Sequence, residues 1–555
     1  MYTMYNFSSI FKWFRSGSKD GLRDDLRANY QWLIILGVLI LILYANLYGS
    51  EFVSDDKYLI LNNENFGSVK YLFSNLLFFP SLFFQHLTFL VFGKSPTAFH
   101  LLNILLHIIS VQALFLILKK LFNEKFAIFS AILFAIHPVF TESVSWISGI
   151  STIQYSSLFL VSLLLYLYSK AIDKYFWFSY GFLILSVASS NRAFVMPLIL
   201  IAYELLFKSD KWKYKIVLLL FPFIIFLTAN ILGIGERSES LAQDYYSNNS
   251  LYNPLTQIPT AVSKYIELYF VPTNLTLYYT ELNMGGIVLF LRVILLLGFI
   301  YLGNEFYKKD KKVFLFFLIF FINLLPTLTP LPVAWIVAER YAYLSFLSLI
   351  VITVKLMLLK EKKFGKTTLN VLMVMLVCIL SIITFLRNLD WRNEDNLWVA
   401  TGKTSPSSSQ NHNNLGDVYS RNGDLNKAVE EFSKATQLKP NYADAYHNLA
   451  NTYQQLGQVE KAIENYNLAI KYNPNLWQSY QNLAQIYFEQ KDYDSAIKNL
   501  ELTYKIIPNN LNLLNNIGIV YMTVDEKVKA KETFEQVLSI DPVNQVATEI
   551  ILKLK

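Results

Sequence analysis

The chain has 555 residues, 54% of them hydrophobic and 16% charged, with a net charge of +7. So apolar a composition excludes an ordinary soluble multidomain protein. The modest positive excess sits in short lysine-rich loops, which fits membrane orientation and argues against nucleic-acid binding. A single cysteine, Cys378, lies inside an apolar run and excludes an intrachain disulfide and a cysteine-based metal site.

The first thirty residues are polar and basic and carry no cleavage signature, so they read as an N-terminal tail, 1–30, before a retained anchor. Crossing a bilayer takes about 20 apolar residues. Windows of that kind lie near 31–48, 98–118, 126–146, 153–169, 175–190, 193–207, 214–232, 286–304, 313–331, 343–359 and 367–386. They predict a transmembrane domain over 31–386 with about eleven spans. The stretch Tyr71–Phe92 is interrupted by Pro80, Gln85 and His86 and reads as interfacial or re-entrant helix.

Lysines and arginines in the short loops set the orientation. With eleven spans, the basic tail (Lys12, Arg15, Lys19, Arg23, Arg27), Lys119–Lys125, Lys170–Lys174, Lys208–Lys215, Lys308–Lys312 and Lys360–Lys366 all fall on one side. By the positive-inside rule that side is cytoplasmic. The other side then holds Asp55 and Asp56, the turn at His137, the Asn191-Arg192 pair, the 233–285 loop, the Ala338–Tyr341 segment and the C-terminal region.

Asp55 and Asp56 directly follow the first span. Two adjacent carboxylates at the mouth of a membrane helix are costly to place and mark a functional site; the competing reading is a solvated acidic loop. Their stretch reads as extended, which points neighbouring side chains in opposite directions. One of the pair is expected to face the cavity and the other to hold the loop.

After a linker over 387–408, prolines stand at 406, 440, 474, 508 and 542, a constant step of 34 residues. That is the tetratricopeptide period. Leu415, Gly416, Tyr419, Ala428 and Phe432 of the first repeat have counterparts in the later ones, such as Ile517, Gly518, Tyr521, Ala530 and Phe534. Four repeats and a capping helix are predicted over 409–555. Such a stack forms a concave groove. Asn414, Asn448, Asn451, Asn482, Gln485 and Asn516 recur on first helices and are candidates to hold a peptide backbone; the alternative is that they are solvated surface residues. The expected fold is all-α, a polytopic helical bundle followed by an α-solenoid.

Several segments resemble a known family. "EFVSDDKYLILNN", "SPTAFHLLNILLHIISVQALFLIL" with His100, Asn103 and His107, "ILFAIHPVFTESVSWISGIS" and "AERYAYLSFLSL" resemble, in this order, the transmembrane and tetratricopeptide-repeat family of protein O-mannosyltransferases and its bacterial relatives. Two positions depart from that pattern: Phe79-Pro80 replaces an Arg-Pro pair, and Asn191-Arg192-Ala193 replaces a Lys-Glu pair. The resemblance implies a GT-C glycosyltransferase that takes a sugar, a mannose-type hexose, from a polyprenyl-phosphate carrier and modifies a protein or another acceptor outside the cytoplasm. It implies a catalytic carboxylate among Asp55, Asp56 and Glu142, with Asp55 favoured as base. Donor-phosphate binding falls to Arg340, Arg192 and His137.

No organic cofactor is indicated. A divalent cation is compatible with Asp55, Asp56 and Glu142, although hard cations take more oxygen ligands than these motifs supply. The partners expected are the lipid-linked sugar, a protein or peptide acceptor in the groove and membrane lipid, and no nucleic acid. High Lys, Asn, Ile and Phe usage points to a bacterial inner membrane with periplasmic repeats; in a eukaryotic host the counterpart is the ER membrane with luminal repeats. The alternatives are a membrane-tethered repeat scaffold without catalysis and a periplasmic oligosaccharide ligase.

Overall fold

The computed structural model describes residues 21–74, 79–233, 253–282, 285–328 and 335–554. The tail residues Lys12, Arg15 and Lys19 and much of the 233–285 loop lie outside them, as do the Phe79 and Pro80 side chains. Among the described residues the chain is helical and contains no strand, in two compact units, Met1–Ala400 and Thr401–Lys555.

Among the described residues of the first unit, seven helices are long and apolar enough to cross a membrane, or up to nine if two bent pairs each count as one span. All eleven sequence windows fall on helices. Two of those helices are short, Lys174–Ala188 with 15 residues and Met196–Phe207 with 12, which is why the span count by length is lower. The spans divide by burial. In Pro96–Leu121, Ile147–Tyr168 and Glu339–Leu359 about two thirds or more of the apolar window is buried (67, 72 and 67%). In Trp212–Leu232, Gly286–Lys309 and Lys366–Trp391 only 17, 11 and 22% is buried. The first three form the centre, and the others turn apolar surface outward, as a span facing acyl chains does. Small polar residues join the central helices: Ser110 to Ser157 at 2.7 Å, Ser162 to Ser179 at 3.1 Å and Asn323 to Ser345 at 2.8 Å. Short side chains permit close approach and satisfy each other away from water.

One break in a span builds the site. The Glu124–Ile136 helix ends at His137, which is extended (φ −70°, ψ 125°), and Pro138 cannot continue the ladder. The chain bends by 52° and resumes as Pro138–Ser145. That bend swings Glu142 into the interior, where it is fully buried.

In the second unit four helix pairs succeed one another: Ser409–Arg421 with Leu425–Leu438, Ala443–Gln455 with Val459–Tyr472, Trp477–Glu489 with Tyr493–Ile506, and Leu511–Thr523 with Lys527–Ile540. Gln545–Lys553 follows as a last helix. Each pair closes on a small residue facing a large one. A Cβ on Gly416 would stand 2.7 Å from the Phe432 ring, and one on Gly518 would stand 2.6 Å from Phe534. Where the small residue is alanine, the facing residues are Tyr466 for Ala450 and Leu500 for Ala484, each pair sharing a buried cluster. Gly416→Ala is therefore expected to destabilise the repeat unit by about 1–3 kcal/mol through overpacking. Hydrogen-exchange protection of Ser409–Leu438 in the full chain reads this out. Adding Phe432→Leu should recover most of the loss, because it recreates the Ala484–Leu500 pair. Unchanged protection in the single variant would show that the ring moves aside at no cost.

Candidate active site

The loop after the Tyr30–Leu43 helix is held at its start and at its end. The Glu51 N–H donates to the Arg392 carbonyl at 2.9 Å, which fixes the strand-like entry. Ser54 then takes a left-handed conformation, φ +54°. Non-glycine residues rarely do so, and such strain persists only where the surroundings impose it. Beyond Ser54 the backbone is a helical turn and not the extended stretch expected, so Asp55 and Asp56 stand at the start of a helix.

The two aspartates have different surroundings. Asp56 is fully buried. Its Oδ2 accepts the Val53 N–H at 3.1 Å, and its Oδ1 accepts the Ser148 N–H at 2.7 Å and the Ser148 hydroxyl at 2.5 Å. Burial pushes its carboxyl up to about 7 against the pull of those bonds. Asp56 thus clips the first loop to the turn after Trp146. Asp55 remains exposed. Desolvation raises its carboxyl above the ordinary range, and the nearby Arg340 charge draws it back.

Arg340 is held by Glu142, which accepts its guanidinium Nη1 on one oxygen and its backbone N–H, at 2.8 Å, on the other. Both Glu142 oxygens are engaged in this pairing, which holds Arg340 in place. Arg340 also lies 5.4 Å from the centre of the Trp146 ring and 5.1 Å from that of Tyr341. Arg192 lies 4.4 Å from the same Tyr341 ring centre and donates to the Thr152 hydroxyl at 2.8 Å. Its Nη1 is buried with no hydrogen-bond partner among the described residues. Two guanidiniums therefore meet on Tyr341, and only that of Arg340 is matched by a carboxylate.

Glu339, next to Arg340, turns to other partners. Its Oε1 accepts the Thr276 N–H at 2.6 Å and the Tyr279 hydroxyl at 2.9 Å, and lies 3.6 Å from Nη2 of Arg387. Burial and the adjacent Glu339 charge hold the Tyr279 hydroxyl well above its usual range. Arg387 also donates to Asp390 at 2.7 Å. Sequence reading missed Arg387 because it stands at the edge of the last apolar window, where an arginine reads as a span end.

His137 is engaged on both ring nitrogens. Its Nε2 donates to the Tyr269 carbonyl at 3.0 Å, its Nδ1 accepts the Val139 N–H at 3.4 Å, and its ring stacks on Tyr269. Both nitrogens serve the helix break. Asn103 and His107 likewise join helices, Asn103 to the Trp146 carbonyl at 2.9 Å and His107 to the Tyr343 hydroxyl at 2.6 Å.

In the repeats, the asparagine row is largely engaged with itself. Asn448 donates to Asn413 at 3.0 Å, and Asn482 donates to Asn451 at 2.8 Å. Asn451 also accepts the Tyr466 hydroxyl at 2.5 Å, and Gln485 donates to Glu489 at 3.0 Å. The asparagine bonds brace neighbouring helices, and the Gln485 bond lies within its own helix, so these four side chains are already partly engaged. Asn414 and Asn516 carry no side-chain hydrogen bond among the described residues. Among the described residues no three His, Cys, Asp or Glu side chains cluster as a metal site.

Residues 80–232 match the family described as dolichyl-phosphate-mannose-protein mannosyltransferase, and segments at 416–457, 443–476, 465–498 and 511–544 match tetratricopeptide repeats. Protein O-mannosyl-transferase TMTC3 of Homo sapiens is 23% identical over 74% of this chain and 51% of its own length. Protein O-mannosyl-transferase F38B6.6 of Caenorhabditis elegans is 25% identical over 77% of this chain and 65% of its own. The chain is a homologue of protein O-mannosyl-transferases. It spans about half to two thirds of the length of these relatives. Among solved structures, a crystal structure of MamA protein aligns with 26% of this chain and 80% of its own, at 25% identity and a TM-score of 0.25.

Proposed function

We propose that the chain is a membrane glycosyltransferase that moves a mannose-type hexose from a polyprenyl-phosphate carrier to a protein hydroxyl on the extracytoplasmic face. The observation that supports this most is the division of labour among the acids. Asp56, Glu142 and Glu339 are engaged in holding the site, while Asp55 is left accessible beside Arg340. In this reading Asp55 takes the proton of the acceptor hydroxyl as its oxygen attacks the anomeric carbon. The bond from that carbon to the phosphate oxygen breaks, and the lipid phosphate departs as an anion against Arg192 and Arg340. The displacement inverts the anomeric centre and needs no covalent enzyme intermediate. The lysine clusters support a cytoplasmic N-terminus, and the repeats would engage the acceptor or a partner protein.

The test is transfer by purified protein in detergent from a panel of radiolabelled polyprenyl-phosphate sugars to a peptide acceptor. Mannose transfer is expected. It is expected to survive EDTA, because Asp56 and Glu142 spend their oxygens on Val53, Ser148 and Arg340. Abolition by EDTA with rescue by a divalent cation would remove the metal-free reading. Transfer of no sugar by a folded protein would return the chain to the scaffold reading.

A further inference from the structure

We propose that the end of the bundle away from the carboxylates carries a binding pocket for an anionic phospholipid headgroup. The Pro96–Leu121 helix runs from the candidate active site to this end, about 39 Å for its 26 residues. At its last turn a cavity of about 550 Å³ opens between spans, lined by Lys309, Lys311, Lys312 and Lys355 and by aromatic walls that include Phe122 and Phe207.

The charge there is not cancelled. Asp310, the acid in the lining, has both oxygens engaged: Oδ2 pairs with Lys355 at 2.5 Å, and Oδ1 accepts the Lys312 N–H at 3.2 Å and the Val313 N–H at 3.3 Å. Lys309 pairs with Glu305 at 2.6 Å. Lys312 donates to the Leu121 carbonyl at the helix end. Lys311 has no ion-pair or hydrogen-bond partner among the described residues. An ammonium carries three donors, so each of these lysines keeps donors free for a phosphate. A pocket of this kind between spans, basic at its rim, suits a lipid phosphate. The apolar walls decide between sources. A soluble phosphate has no use for Phe122 and Phe207, whereas the glycerol and first acyl carbons of a phospholipid do.

Native mass spectrometry of the full chain, titrated with phosphatidylglycerol, phosphatidylcholine and inorganic phosphate, tests this. Phosphatidylglycerol should bind one to one and about tenfold more tightly than phosphatidylcholine. Lys309→Gln/Lys311→Gln should abolish that preference; both side chains are exposed, and Lys308 remains to pair with Glu305 when Lys309 is neutralised. Lys170→Gln/Lys213→Gln removes equal charge at the same end but outside the pocket, and should keep the preference. Equal retention of both lipids by the native chain would overturn the proposal. So would an equal loss in the two double variants, which would mean diffuse attraction and no pocket. Displacement of phosphatidylglycerol by millimolar inorganic phosphate would assign the cavity to a soluble phosphate ligand and overturn the lipid assignment.

Discussion

Asp55→Asn is expected to lower sugar transfer by about 10²–10⁴-fold, the usual loss when a general base is removed. Donor lipid should still bind. The substitution keeps size and polarity and removes basicity. The loop should hold its shape, because Asp56 and not Asp55 ties it to Ser148. The pH profile carries a second check. A base must be deprotonated, so activity should rise with pH through the Asp55 titration. That limb should lie above the ordinary carboxylate range, since desolvation raises this group. Asp56→Asn should fail differently. Asp56 accepts from Val53 and Ser148 on its two oxygens, and an amide offers one oxygen and turns its NH₂ against a donor at the other. Leaving a buried donor unmet costs about 1–3 kcal/mol, so loss of thermal stability should accompany any loss of transfer. Full transfer in a folded Asp55→Asn protein would end the catalytic reading.

Arg192→Gln and Arg340→Gln should separate. Arg192 has no carboxylate partner among the described residues and a buried, unsatisfied Nη1. Losing it should raise the donor KM by about 10–100-fold, the worth of a charge-assisted hydrogen bond, with little change in thermal stability. Arg340→Gln leaves Glu142 buried and unpaired, which costs about 3–5 kcal/mol of stability. It should also move the acid limb to higher pH, because the Arg340 charge holds Asp55 down. Arg340→Gln with Glu142→Gln should recover stability but not transfer. An unaltered donor KM in Arg192→Gln would place the phosphate elsewhere.

The repeats were legible because prolines every 34 residues survive drift in everything between them. The spans were legible from hydropathy, except where Lys174–Ala188 and Met196–Phe207 are short. What was not legible depends on partners far along the chain. Asp55 and Asp56 are alike until Ser148, 92 positions on, engages one of them. Glu142 looks catalytic until Arg340 takes both its oxygens. A histidine before proline serves a helix break or a substrate equally well, and only the Tyr269 carbonyl shows which applies to His137. The asparagine row lost its apparent freedom to Tyr466, a residue on the other helix of its pair.

Glu339 and Arg340 are neighbours on one short turn, and they grip two different helices that pack against each other. Arg340 holds Glu142 in the broken span, while Glu339 faces Arg387 at the end of the last span. Mechanically the turn is a tie-rod with a charged hook at each end. A tilt of the Lys366–Asn388 helix would drag Glu339, and the peptide unit it shares with Arg340 would carry the displacement toward Asp55. The last span can thus tune the distance between acid and guanidinium without touching a substrate.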